Sequence, residues 1–170
     1  MNRLPFIKVG YVCFLLFMLP ACGVYTFKDV SIDYNKIKTI KIGYIENKAR
    51  YNNPQLSPKL TDQFTQKVSS YTKLTRTTND DAHYQVQGYI STYNVSTSGI
   101  SAQRAATNRL TVGVHIVFKD IVNDKTNEFD VSRDFDFDAS LTLQEAEGRL
   151  LDEIVKNLAD EIFNRIFSNW

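Results

Sequence analysis

The sequence predicts an α+β domain: a small two-layer sandwich with a mixed or antiparallel sheet of about four strands and two helices on one face, in the order β-α-β-β-β-α. Three observations carry this expectation. Two segments repeat apolar residues at helical spacing, several others alternate apolar with polar residues, and the longer, C-terminal helical segment keeps its other face charged.

The first strand is expected at Ile37–Ile45, where Ile40, Ile42 and Tyr44 share one face and Thr39, Lys41 and Gly43 the other. Asn52-Asn53-Pro54 breaks the chain. Ser57 then reads as an N-cap with Pro58 at the first helical position, and Leu60, Phe64, Val68 and Tyr71 form the apolar stripe of a helix from Ser57 to about Ser70. A short extended piece at Lys73–Arg76 precedes a strand at Tyr84–Tyr93.

Leu110, Val112, Val114, Ile116 and Phe118 give the clearest inward face, opposed by Thr111, Gly113, His115, Val117 and Lys119. The turn-like run Asn123–Asn127 follows. Beyond it Phe129, Val131, Phe135 and Phe137 alternate with Asp130, Ser132, Asp134 and Asp136, so these two strands form an antiparallel hairpin. Thr142 with Glu145 makes a capping box for a long C-terminal helix. Its stripe is Leu150, Ile154, Leu158, Ile162 and Ile166, widened by Leu151, Val155 and Phe163.

The N-terminus has a different character. Arg3 and Lys8 precede the uncharged run Val9–Leu19, which is too short for a comfortable membrane span of about 20 residues and reads as a signal peptide. It ends in Leu19-Pro20-Ala21-Cys22-Gly23, which resembles the bacterial lipobox. Residues 1–21 are then a signal peptide, 22–36 a lipidated N-terminal segment and 37–170 one α+β domain. Cys13 leaves with the signal, so Cys22 is the remaining cysteine and no intramolecular disulfide can form. N-acyl and S-diacylglycerol chains on Cys22 would anchor the domain, each buried methylene contributing about 0.8 kcal/mol.

Removing residues 1–21 takes Arg3 and Lys8 from the 20 basic residues and leaves 18 against 19 acidic ones. Such a neutral surface argues against nucleic acid as a partner. His83 and His115 have no metal-ligand spacing. Asp134, Asp136 and Asp138, with Glu145 in the twelfth position, superficially match a calcium loop. The loop glycine is missing, and the alternating phenylalanines fit a strand with a solvated face better. No catalytic residue, metal ligand or cofactor is predicted. The segment Ser96–Arg109 is expected to be a long polar loop, with Arg104 and Arg109 as its charged contact groups.

Cys22-Gly23-Val24-Tyr25-Thr26-Phe27, Asn53-Pro54 with Leu56-Ser57, Ala105–Val112 and the closing Phe163–Trp170 together resemble the LptE family of lipopolysaccharide-assembly lipoproteins. The resemblance implies a non-enzymatic plug inside an LptD-type outer-membrane β-barrel that assists lipopolysaccharide insertion. It makes Cys22 the lipid site and suggests Arg104, Asn108 and Arg109 for barrel contact. Arg76, Lys119 and Arg133 are further basic candidates for lipopolysaccharide. Gly23, in place of the Asp that retains many lipoproteins in the inner membrane, points to the periplasmic face of the outer membrane. Two other readings compete: an accessory lipoprotein of another envelope transport or peptidoglycan machine, and a lipid-anchored hydrolase.

Overall fold

Among the described residues, six strands and two helices follow one another as β1 (Thr39–Ile42), β2 (Glu46–Asn47), α1 (Leu56–Tyr71), β3 (Thr75–Arg76), β4 (Tyr84–Ser101), β5 (Arg104–Asp120), β6 (Lys125–Asp138) and α2 (Leu143–Phe167). The computed structural model describes residues 32–51, 53–101 and 104–168, with backbone only at 100, 101 and 104–106. The sheet order is β3-β1-β4-β5-β6, and β2 pairs separately with β4. β1 runs parallel to both β3 and β4, whereas β4, β5 and β6 form an antiparallel meander. The sheet is therefore mixed, and both helices cover one face of it, as the sequence predicts.

Apolar alternation drives this arrangement. Val86, Ile90, Leu110, Val112, Val114 and Ile116 lie fully buried beneath Leu60, Phe64, Val68, Ile154, Leu158 and Ile162. Burying each such side chain stabilises the fold by about 1.5–3 kcal/mol. Gly88 lies opposite Ile116, and a Cβ there would come within 2.6 Å of the His115 carbonyl oxygen and the Ile116 Cδ1 atom. Close packing of β4 on β5 thus requires glycine at this position.

The two helices run parallel to each other. Lys59 pairs with Asp152 at 2.8 Å and Lys67 with Asp160 at 2.7 Å, so both partners advance by the same interval along their helices. α2 begins with the expected capping box: Thr142 Oγ1 accepts from the Glu145 N–H, and the Glu145 carboxylate accepts from the Thr142 N–H. Those donors hold the Glu145 carboxyl below its ordinary range.

Four expectations need correction. The first strand stops at Ile42: Tyr44 faces solvent, while Ile45 is buried and its N–H donates to Thr61 Oγ1. Between the pairs Ile42↔Val86 and Glu46↔Tyr89 the N-terminal side advances four residues and β4 only three. That extra residue reverses which side chains face inward.

Ser57 is not the N-cap of α1. The helix starts at Leu56, Gln55 occupies the cap position without a side-chain bond, and Asn53 Oδ1 instead accepts from the Gln55 N–H. Ser57 lies buried within the first turn, where Pro58 still costs no hydrogen bond. At the other end of the stripe, Tyr71 remains largely exposed and packs edge-on against Phe163.

The β5–β6 turn occupies Ile121–Asp124, earlier than expected, with Asp124 in the left-handed region at φ 50°. Aspartate tolerates that conformation, and β6 gains four residues at its start. Finally, Ser96–Arg109 is not a loop. β4 and β5 continue as paired strands to Ser101 and Arg104. Ser96, Thr97 and Ser98 are exposed and Asn108 and Arg109 only half-buried, so here backbone pairing replaces a buried apolar face as the organising interaction.

Candidate partner-docking site

The extended part of β4 and β5 forms a ribbon that projects past the start of α2. Ser96, Thr97 and Ser98 are exposed, and Asn108 and Arg109 are partly so. Three register shifts shape it. Ser91 and Thr92 together oppose Gly113, where the Thr92 Cβ would lie 3.1 Å from a Cβ on that glycine. Two more follow, between Thr97 and Gly99 and between Gly99 and Ile100. Such bulges bend the strand and increase its local twist.

On the sheet face away from the helices, β5 and β6 carry complementary charges. Arg109 Nε and Nη2 donate to Asp136 at 2.8 and 3.1 Å, while Thr111 Oγ1 donates to Asp134 at 2.7 Å. Further along, His115 Nδ1 lies 3.0 Å from Asp130 Oδ1, and the His115 ring lies beside Tyr89. The Arg109 hydrogen bonds hold the Asp136 carboxyl below its ordinary range and push the Arg109 guanidinium up. The alternating aspartates are the solvated face of a strand. Among the described residues, no group of His, Cys, Asp and Glu is arranged to hold a metal ion.

Asn108 pairs opposite Phe137, on the helix side, whereas its neighbour Arg109 pairs opposite Asp136 on the open face. These two candidates therefore serve different surfaces. Arg104 begins β5, at the far end of the ribbon, and Cys22 lies outside the described residues. Of the other basic candidates, Lys119 opens to the same face as Arg109. Arg133 turns to Glu161 on α2, with which it pairs, and Arg76 lies on the exposed β3.

At the base of the ribbon is a polar cluster in which Tyr93 and Glu147 are buried and Tyr51 reaches the surface. Tyr93 Oη donates to Glu147 Oε1 at 2.5 Å, Tyr51 Oη donates to Oε2 at 3.4 Å, and the two phenol rings stack with centroids 5.2 Å apart. Glu147 is only 8% exposed. Burial first, then the neighbouring carboxylate, pushes the Tyr93 phenol strongly up, so it remains a donor throughout the ordinary pH range. This cluster ties β4, the segment before α1 and the first turns of α2 together. Beside it a cleft opens, lined by Arg50, Tyr51, Tyr93, Val95 and Leu143 together with polar residues of β4.

Residues 37–166 match the family described as LptE, lipopolysaccharide-assembly. The chain belongs to the LptE family. Several solved structures of low identity are similar to it. Lipoprotein B from Nitrosomonas europaea is 15% identical, with a TM-score of 0.52, covering 77% of this chain and 83% of that one. Rare lipoprotein B from Shewanella oneidensis is 14% identical, TM-score 0.46, covering 74% and 89%. PelC from Paraburkholderia phytofirmans, solved as a dodecamer, is 10% identical, TM-score 0.48, covering 79% and 90%. The Nitrosomonas structure shows the common fold. No curated protein matches the sequence.

Within this LptE-family domain, the Tyr51–Tyr93–Glu147 cluster was missed from sequence. One signal was available: Glu147 falls on the apolar stripe of α2, one turn before Leu151, where a carboxylate requires a buried partner. Its partners lie 96 and 54 residues away, and no local pattern identifies them.

Proposed function

We propose that this LptE-family protein is a non-enzymatic outer-membrane lipoprotein, held at the periplasmic face by acyl chains on Cys22, that fills an LptD-type β-barrel and assists lipopolysaccharide insertion. The observation that carries the reading is the family match across residues 37–166, nearly the whole described body. Lipopolysaccharide assembly is what the family does; the barrel and the lipid anchor are the finer steps.

The geometry supports these steps in two ways. A helix-covered sheet can occupy a wide barrel lumen without opening its own core. The ribbon's uncharged flank and the ion-paired face around Arg109 offer polar contact groups to such a wall, with Arg104 and Asn108 as further candidates.

The test is a mild-detergent purification of the C-terminally tagged protein from its native membranes, with Cys22→Ala as the control. The expected outcome is one large outer-membrane barrel in stoichiometric complex, and release of the Cys22→Ala protein from the membrane wherever the barrel is missing. Recovery of soluble or inner-membrane partners alone would overturn the barrel step and leave the family membership intact.

A further inference from the structure

The sheet has two long outer edges with opposite chemistry. β6, at one end of the order, carries Glu128, Asp130, Arg133, Asp134, Asp136 and Asp138, charges of the kind that keep edge strands from pairing with other chains. The outer edge of β4 is covered by β1 and β2 only as far as Ile90. From Thr92 to Ser98 no strand pairs with it among the described residues, and those seven residues contain no charge and no proline.

The direction of the backbone groups on this edge follows from the ladder. Val86 and Ile90 turn their carbonyls toward β1 and β2, accepting from the N–H groups of Gly43 and Lys48. Alternation, shifted by the bulge at Ser91–Thr92, then turns the N–H and C=O groups of Tyr93, Val95 and Thr97 away from β5. Evenly spaced donors and acceptors over about 20 Å are complemented by another extended polypeptide backbone.

We infer that the Thr92–Ser98 edge of β4 takes up an extended segment of a partner polypeptide as an added strand. An aliphatic side chain of that segment lies in the cleft between Tyr51 and Leu143, and an acidic one meets Arg50. The cleft gives the specificity. Its lining is mainly the apolar surfaces of Tyr51, Tyr93, Val95 and Leu143, and Arg50 is its one charged member. Arg50 is exposed and forms no ion pair among the described residues. Symmetric pairing with the same edge of a second copy fits less well, because neither this edge nor the cleft lining supplies a carboxylate for Arg50, and the acidic β6 carries the charges that oppose edge pairing. The inference does not rest on the barrel reading.

The test uses the full-length lipoprotein in its native cells, with a photoreactive benzophenone amino acid replacing first Val95, then Thr97, and Glu128 on β6 as the control position. The expected result is that both β4 positions link to one short segment of a single partner chain, and that moving the probe by two residues moves the link by two. Glu128 gives no such link. Val95→Pro removes an outward N–H that the β5 ladder does not use, and Arg50→Glu reverses the cleft's charge. Each should lower linking from position 97 about tenfold with an unchanged melting temperature. Should Val95→Pro fail to fold, Arg50→Glu carries the comparison. Links without register, links to residues 22–31, to a second copy or to lipid alone, no link at all, or yields that neither substitution lowers would overturn the inference. The membrane purification decides the barrel step by itself, so the two readings fail separately.

Discussion

The two ends of the β4–β5 hairpin obey different rules. Near Val86, Val114 and Ile116 one face lies under two helices and its large apolar side chains are buried, whereas beyond Leu110 the same strands carry the exposed Ser96 and Thr97 and the half-buried Asn108. The covered end contributes stability through apolar burial; the bare end is held by backbone pairing and leaves its side chains available to other molecules. Stability and accessible surface are thus divided along one pair of strands.

The strongest challenge to that division is a pair of substitutions compared by urea denaturation. Phe64→Ala, in the fully buried layer, should cost about 3–5 kcal/mol, whereas Thr97→Ala on the ribbon should stay within about 0.5 kcal/mol. Comparable losses would mean that the ribbon belongs to the cooperative core. An intermediate effect is expected where the two ends meet. Tyr93→Phe withdraws a donor from the buried Glu147 carboxylate and should cost about 1–3 kcal/mol. Adding Glu147→Leu should then cost less than the sum of the separate changes, because the orphaned charge is gone.

The smallest effect concerns the exposed pair on the open face. Arg109 holds the Asp136 carboxyl below its ordinary range, so the pair's contribution is fully present above the unfolded value of about 4 and fades as pH falls through the lower native value. Arg109→Gln should therefore destabilise slightly at neutral pH and match the parent protein once the Asp136 carboxyl is protonated. A gap that persisted in acid, measured by parallel urea titrations, would assign Arg109 a packing role instead.

Legibility in the sequence followed the same division. The buried stripes of β5, β6 and α2 and the Thr142–Glu145 box were readable because each is a local pattern with a single physical cause. The ribbon was not: its run of serines, threonines and an asparagine carries no apolar period. Arg109 was singled out from composition, yet its pairing with Asp136 requires the hairpin register. That register is set by a turn at Ile121–Asp124 whose first two residues are apolar and exposed, so the more polar Asn123–Asn127 looked like the turn and would have misaligned every cross-strand pair. The parallel insertion of β1 between β3 and β4 lay beyond reach, since no pattern within a strand names its neighbours.

That insertion has a mechanical consequence. β1 enters the sheet beside Tyr84, at the end opposite the ribbon, and the His83 ring nitrogen Nδ1 accepts from the N–H groups of Lys38 and Thr39 at that point. Tension between the chain before Ile37 and a load gripping the ribbon would run along the strand axes. Under such a pull the hydrogen bonds joining β1 to its two neighbours are sheared together instead of being peeled one after another, so a domain tethered on one side and held on the other resists extraction at its centre.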